Sequence, residues 1–277
     1  MKKLIYCILN ILLPLACSYD TLIREPETLV METTLTVKVP GGGFSAGTRA
    51  LDPGDEHKIE TIDVLVFSKD ALNNETFSYR APATLITGTI SDKSFKVEVI
   101  PDENNDQQFV IFANAAGVIG SLNFAGKTKT EAIDMVVMTQ SGAWNVTNPG
   151  FTPLPMWGES DYRRITNQAS SATTVELLRA LARIDVQVAT AAQASFTLTG
   201  VSLLNSSGAG RLAPALLNWN RTEKKVSAPS RPMGGWVPTS TICNYPVPDG
   251  KSLIRSIYTF EAPVATDNIS TTTPSLV

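Results

Sequence analysis

Histidine is nearly absent from this sequence, with His57 alone among 277 residues. One imidazole excludes His-rich metal centres and leaves little room for imidazole-driven catalysis. Cysteine is almost as scarce. Cys7, Cys17 and Cys243 are the whole set, too few for a multi-disulfide framework. A positive excess is also lacking: Lys plus Arg number 23 against 26 Asp plus Glu, for a net charge of −3. Nucleic-acid binders need a clustered basic face to displace counterions, and this chain has no basic block. No apolar run reaches the roughly 20 residues of a membrane-spanning helix. What the sequence does have is apolar content, 43% against 18% charged residues. That balance buries a sizeable core and argues against disorder. The length fits about two domains.

Residues 1–17 read MKKLIYCILNILLPLAC. Lys2 and Lys3 precede an apolar stretch from Leu4 to Leu15, and the small residue Ala16 stands directly before Cys17. This is the pattern of a bacterial lipoprotein signal. It predicts a signal peptide over 1–16 and lipidation (palmitate) at Cys17, although Pro14 occupies the position three before the cysteine, where leucine is usual. Cys7 would then leave with the signal. Cys243, without a thiol partner, reads as a small buried hydrophobe.

The polar segment 18–28 with its Pro26 suits a tether. Leu35, Val37 and Val39 then alternate with Thr36 and Lys38, the period of a half-buried strand, and Pro40-Gly41-Gly42-Gly43 ends it. The next segment, FSAGTRALDPGDEHK, reads as an exposed loop. Ile59–Phe67 predicts a strand apolar on both faces, hence central in its sheet. Further strands are expected at Ala83–Ile90, Phe95–Ile100 and Phe109–Ala113, separated by the turn-rich segments SDK and PDENNDQ. Thr128–Met138 predicts a helix, opened by the capping box of Thr128 and Glu131. Residues 141–162 read as irregular. Glu176–Val188 fits a helix through Leu177, Leu181, Ile184 and Val188, and a strand through its longer alternation; we take the strand. Phe196–Leu204 and Ser252–Phe260 complete the set. Many short strands with regular turn signals predict a mainly β protein built of β-sandwiches.

The lipoprotein signal, the early strand, the TRA loop, IDVLVF, FVIFANA, LPMWGE, LLRALARIDV and IYTFEAP occur in this order. Together they resemble the FimA-like fimbrillins, the major fimbrial subunits of type V pili in Bacteroidetes. The resemblance implies two transthyretin-like β-sandwich domains. On that reading, residues 17–49 form a tether and detachable first strand, carried by Leu35, Val37 and Val39. Residues 50–174 are the N-terminal sandwich and 175–277 the C-terminal one. The resemblance also implies export to the outer membrane, cutting between Arg49 and Ala50 by an Arg-specific protease, and assembly with other fimbrial subunits by strand exchange into an extracellular adhesive fimbrium. The Gly and Pro residues around Arg49 make that bond pliable and accessible. Family members continue through further strands where this sequence ends at Val277, so the C-terminal sandwich is expected to be incomplete, with its capacity to donate a strand in doubt.

Other candidate sites read as ordinary structure. His57 in the acidic DEHK loop is expected to be solvated. Asp102, Glu103 and Asp106 lack the spacing and closing Glu of a calcium loop. Gly41–Gly43 lacks the Lys and Ser or Thr of a phosphate loop. No nucleophile–base pair or metal cluster is present, so the expectation is a non-enzyme without metal or cofactor. The alternatives to a stalk subunit are a fimbrial anchor or tip subunit, or a surface glycan-binding lipoprotein offering Trp144 or Trp157 as a sugar platform.

Overall fold

The computed structural model describes residues 29–39, 53–89, 92–147, 150–168, 172–233, 235–236, 238–262 and 275–277. The chain is mainly β. Its first strands are β1 (Met31–Lys38), β2 (Ile62–Lys69), β3 (Glu75–Ala81), β4 (Ala83–Gly88), β5 (Asp92–Val99), β6 (Asp102–Ala113), β7 (Val137–Thr139), β8 (Met156–Glu159), β9 (Arg163–Ile165) and β10 (Thr173–Glu176). Then follow β11 (Leu178–Arg179), β12 (Leu181–Gln187), β13 (Gly200–Leu204), β14 (Ala209–Arg211), β15 (Trp219–Asn220), β16 (Lys225–Val226), β17 (Cys243–Pro246), β18 (Ser252–Phe260) and β19 (Ser275–Leu276). Among the described residues three short α-helices interrupt them: α1 (Pro53–Glu56), α2 (Ala116–Ile119) and α3 (Lys129–Asp134).

One sheet runs β10-β1-β5-β4 and a second runs β11-β8-β6-β2-β3, with β9 also on β6. The two face each other across a core in which Leu35, Val37, Phe95 and Val97 meet Val64, Val66, Phe109 and Ile111. β2 shows why its sequence is apolar on both faces. Val64 and Val66 enter this core, while Leu65 and Phe67 enter another on the opposite side of the same sheet. That outer core is covered by α2, α3, the Trp144 loop, Leu212 and the end of β18 with Tyr258 and Phe260. Buried on both faces, the second sheet is the middle layer of the molecule.

A smaller core lies in the second half. Strands β12 and β18 pair, β17-β13-β19 form a separate sheet, and Val201, Leu203, Cys243, Tyr245, Leu253 and Ile257 pack between them. Cys243 is buried there as a small hydrophobe, and is the one free thiol among the described residues. β18 is bulged against β12: the register shifts between Ile184 and Val186, and Arg255 takes φ 52°. Its backbone N–H donates to Asp185 Oδ1 at 2.8 Å.

Several elements differ from the sequence expectation. α3 begins at the predicted capping box but stops at Asp134, and Val137–Thr139 turns into β7 to pair with β14. The turn expected at PDENNDQ is the bulged start of β6, whose register shifts between Asp102 and Asp106. Asp106 pairs there with Arg164 at 2.9 Å. Only Gly200–Leu204 of the segment Phe196–Leu204 is a strand, and Phe196 is exposed. β3 was not expected, because its alternate residues point to solvent and carry polar groups. No helix among the described residues is long and apolar enough to cross a membrane.

Candidate functional site

β1 is the inner strand of a four-stranded sheet, yet in sequence it stands apart from everything it touches. It runs antiparallel to β5 along its whole length, from Met31 opposite Val99 to Lys38 opposite Asp92. On its other side it runs parallel to β10, from Leu35 opposite Thr173 to Lys38 opposite Glu176. The ladder extends one step further, where Leu177 N–H donates to Lys38 O at 2.8 Å. Parallel pairing needs a crossover connection; here the crossover is the whole first half of the chain.

The inward face of β1 matches the period-two reading. Leu35 and Val37 are completely buried, Val39 is 4% exposed and Thr33 is 6% exposed. Leu29 is exposed and contributes nothing to this face. Burying one Leu and two Val is worth roughly 5–9 kcal/mol at about 1.5–3 each. A domain's whole stability is about 5–15 kcal/mol. Without β1, the first sandwich would have an open slot between β5 and β10 with unpaired backbone on both rims.

The outward face is polar and ordered by charge. Thr36 Oγ1 lies 3.1 Å from Ser94 Oγ, and Lys96 forms an ion pair with Glu32. That carboxylate holds the Lys96 ammonium above its ordinary pKa, first through the hydrogen bond and then through charge. Lys38 stands between Asp92 and Glu176. A cavity of about 370 Å³ opens at this end of β1, bordered by Lys38, Val39, Glu176, Trp219 and Lys224.

Two buried ionic clusters, neither legible in the sequence, hold the surroundings of this slot. In the first, Glu159 of β8 is 1% exposed and accepts from Lys129 Nζ at 2.7 Å, Arg221 Nε at 2.7 Å and Trp219 Nε1 at 3.0 Å. Lys129 is equally buried, and burial pulls its pKa down against the opposing pull of Glu159. Trp219 meets Trp157 edge to face at 5.2 Å. The β15–β16 hairpin is thereby clamped to the middle sheet.

In the second cluster, Glu56 of α1 is 2% exposed and accepts from Arg183 at 2.9 and 3.2 Å and from the Tyr258 hydroxyl at 2.5 Å. Arg179 Nε donates to the Glu56 carbonyl at 3.4 Å. Burial, then the bond to Glu56, pushes the Tyr258 phenol above its usual pKa, and burial lowers Arg179. These residues border a cavity of about 560 Å³ at the junction of the two halves.

Of the residues singled out in the sequence, Cys17, Arg49 and Ala50 lie outside the described residues, as does the tether 18–28. His57 is not solvated but 6% exposed, because α1 is drawn against the second half through Glu56. The sugar platform is overturned. Trp144 is 7% exposed, donates to Thr152 O at 2.8 Å and packs edge-on against Phe260, while Trp157 is 1% exposed. Neither ring has a face to offer a ligand. No metal-binding group of three or more His, Cys, Asp or Glu occurs among the described residues.

No family model matches the chain, and no curated protein matches it. Among solved structures, it is similar to a fimbrial assembly protein from Parabacteroides distasonis at 14% identity and a TM-score of 0.45, over 90% of this chain and 85% of that one. It is also similar to the fimbrial anchor protein Mfa2 from Porphyromonas gingivalis at 14% identity and a TM-score of 0.36, over 86% of this chain and 75% of that one. Likeness at this level carries no argument about function.

Proposed function

We propose that the chain is a structural subunit of a cell-surface fimbrium. It is exported as a lipoprotein precursor acylated at Cys17, cut between Arg49 and Ala50 by an Arg-specific protease, and polymerised with other fimbrial subunits by strand exchange. Its station is first the outer membrane and then the extracellular fimbrium, and its role is adhesive and architectural, with no catalytic step. The observation that carries the reading is the placement of β1. The strand lies between β5 and β10, its inner face is buried against the opposing sheet, and its only covalent link to the rest of the described fold is segment 40–52, which contains the Arg49–Ala50 bond.

The physical logic follows from that connection. Cutting segment 40–52 turns an intramolecular strand into a separate one, held by side-chain burial and backbone pairing alone. Loss of the tether removes its high effective concentration, so a strand from a neighbouring subunit can compete for the slot. The vacated slot favours such a replacement because unpaired rims and exposed apolar walls are costly.

Mass spectrometry of the N-terminus in assembled material tests the reading. Ala50 as the first residue is the expected result. Acylated Cys17 retained in the assembled protein would overturn the polymerising role and assign the chain to an anchor position, where residues 17–49 stay in place.

A further inference from the structure

The inward pattern of β1 does not by itself specify which strand can fill the slot. An alternating apolar strand slipped by two residues still points its apolar side chains inward, because the side-chain period is two. One-residue slips are excluded by burial, but two-residue slips are not. The polar face must break that degeneracy, and here it carries a readable arrangement.

Along β5, the residues opposite the outward positions of β1 are Asp92, Ser94, Lys96 and Glu98. Facing them on β1 are Lys38, Thr36, Thr34 and Glu32. By register Lys38 therefore stands opposite Asp92, and on its other flank opposite Glu176 of β10, whose carboxylate is shared with Lys224 at 2.8 Å. Glu32 stands opposite Glu98, a pairing that would repel, and its carboxylate turns instead to the diagonal neighbour Lys96. Two threonines separate these charged ends, and the Thr36–Ser94 hydroxyl pair sits between them.

Slipping the strand by two residues breaks this arrangement in either direction. In one, the cation moves to the position of Thr36, facing Ser94 and Thr174 instead of two carboxylates. In the other, it passes beyond Asp92 and Glu176 altogether. A cation at one end and an anion six residues earlier thus define a single register and a single direction.

We propose that the slot selects its incoming strand by charge as well as by apolar pattern: the occupant must carry a basic residue where Lys38 stands and an acidic residue where Glu32 stands. The inference rests on the strand-exchange reading and narrows it to a partner chemistry. The partner strand has Thr- or aliphatic-sized side chains at the positions of Thr33, Leu35, Val37 and Val39, since larger ones overfill a closed core. On its outer face it runs from acid to base with two small polar residues between. Subunits whose strands reverse these charges are poor partners, even with an equally apolar inner face.

The test uses the full chain, nicked between Arg49 and Ala50 by an Arg-specific protease and checked by mass. Nicked chain is incubated with an excess of labelled synthetic peptide spanning residues 29–39, and bound label is read after gel filtration. Parallel peptides carry Lys38→Glu, Glu32→Lys or both. These substitutions lie on the peptide, so the receiving fold is not altered. Lys38→Glu is expected to lower uptake about five- to twentyfold, since it sets a third carboxylate opposite Asp92 and Glu176, where the native strand carries a cation. The deficit should shrink in 1 M salt, where the screening length falls to about 3 Å. A full chain carrying Asp92→Lys and Glu176→Lys, nicked in the same way, should reverse the preference and take the Lys38→Glu peptide better. Equal uptake of the native and Lys38→Glu peptides would overturn charge selection while leaving strand exchange intact. If not even the native peptide enters the nicked chain, strand exchange itself fails and charge selection falls with it.

Discussion

Replacing Glu159 with Gln changes one oxygen for one nitrogen at the centre of the hairpin clamp, with almost no change in volume. In the native protein both carboxylate oxygens are engaged, one by Lys129 and the other by Arg221 and Trp219. The amide keeps one acceptor, so either the Arg221–Trp219 side or the Lys129 side loses its partner. Lys129 is only 1% exposed, and its next carboxylate, Glu75, lies 3.9 Å away. Removing one partner of a buried pair costs about 3–5 kcal/mol, because the remaining charge stays desolvated. The Glu75 contact and the retained acceptor place the expected loss at the lower end, about 3 kcal/mol. At about 2–4 °C per kcal/mol for a chain approaching this size, Tm should fall by roughly 6–12 °C. Chemical denaturation of the full chain provides the assay, with tryptophan fluorescence reporting release of Trp219 from Trp157. The double variant Glu159→Gln, Lys129→Met closes the cycle: it removes the stranded ammonium and should recover about half or more of the loss. A Glu159→Gln midpoint within about 0.5 kcal/mol of the native one would refute the clamp as an energetic element.

Arg255 is 3% exposed, and its Nε and Nη1 have no hydrogen-bond partner; Arg255→Met should stabilise the chain by about 1–3 kcal/mol in a urea titration, by removing a desolvated cation while keeping its packing. Alkaline pH should destabilise the fold from about pH 10 upward. Burial raises Tyr79 and Tyr245 to about 12, and Tyr258 is raised too. The native state therefore holds phenolic protons that the unfolded chain releases near pH 10, so stability present below that pH is lost as pH climbs towards the folded-state values. Tyr258→Phe and Tyr79→Phe should each flatten the fall of the urea midpoint between pH 9 and 11. A Cβ on Gly210 would lie 2.1 Å from the Phe260 ring; Gly210→Ala should cost about 1–3 kcal/mol by overpacking, seen as a lowered Tm.

The sequence pattern identified elements whose signals are local and two-faced. β1, β2 and β18 announced themselves because their apolar side chains recur at every second position, or at every position where both faces are buried. The α3 start was legible because a capping box needs only four consecutive residues, Thr128 to Glu131. β3 escaped because an edge strand with one wet face has no apolar excess to display. The end of α3 escaped for another reason: Met135 and Val136 continue the helical spacing, but Val137–Thr139 gains more by pairing with β14, which lies 70 residues further on. Tertiary pairing outweighed local propensity there.

The slot illustrates what pattern alone cannot supply. Leu35, Val37 and Val39 were legible as an inner face, yet Asp92, Lys96 and Glu176 looked like ordinary surface charges until register brought them beside β1. Glu56 and Glu159 looked equally ordinary, because a lone acidic residue in a sequence carries no sign of burial. What joins these residues is the segment from β10 to β12. Its first residues form the parallel rim of the slot, Leu178 and Arg179 then pair with β8 in the middle sheet, and Arg183 reaches Glu56 while β12 pairs with β18. One continuous stretch of backbone therefore borders the slot, joins the middle layer and begins the second core. A strand seated beside β10 is hydrogen-bonded to the same continuous backbone that enters the second half.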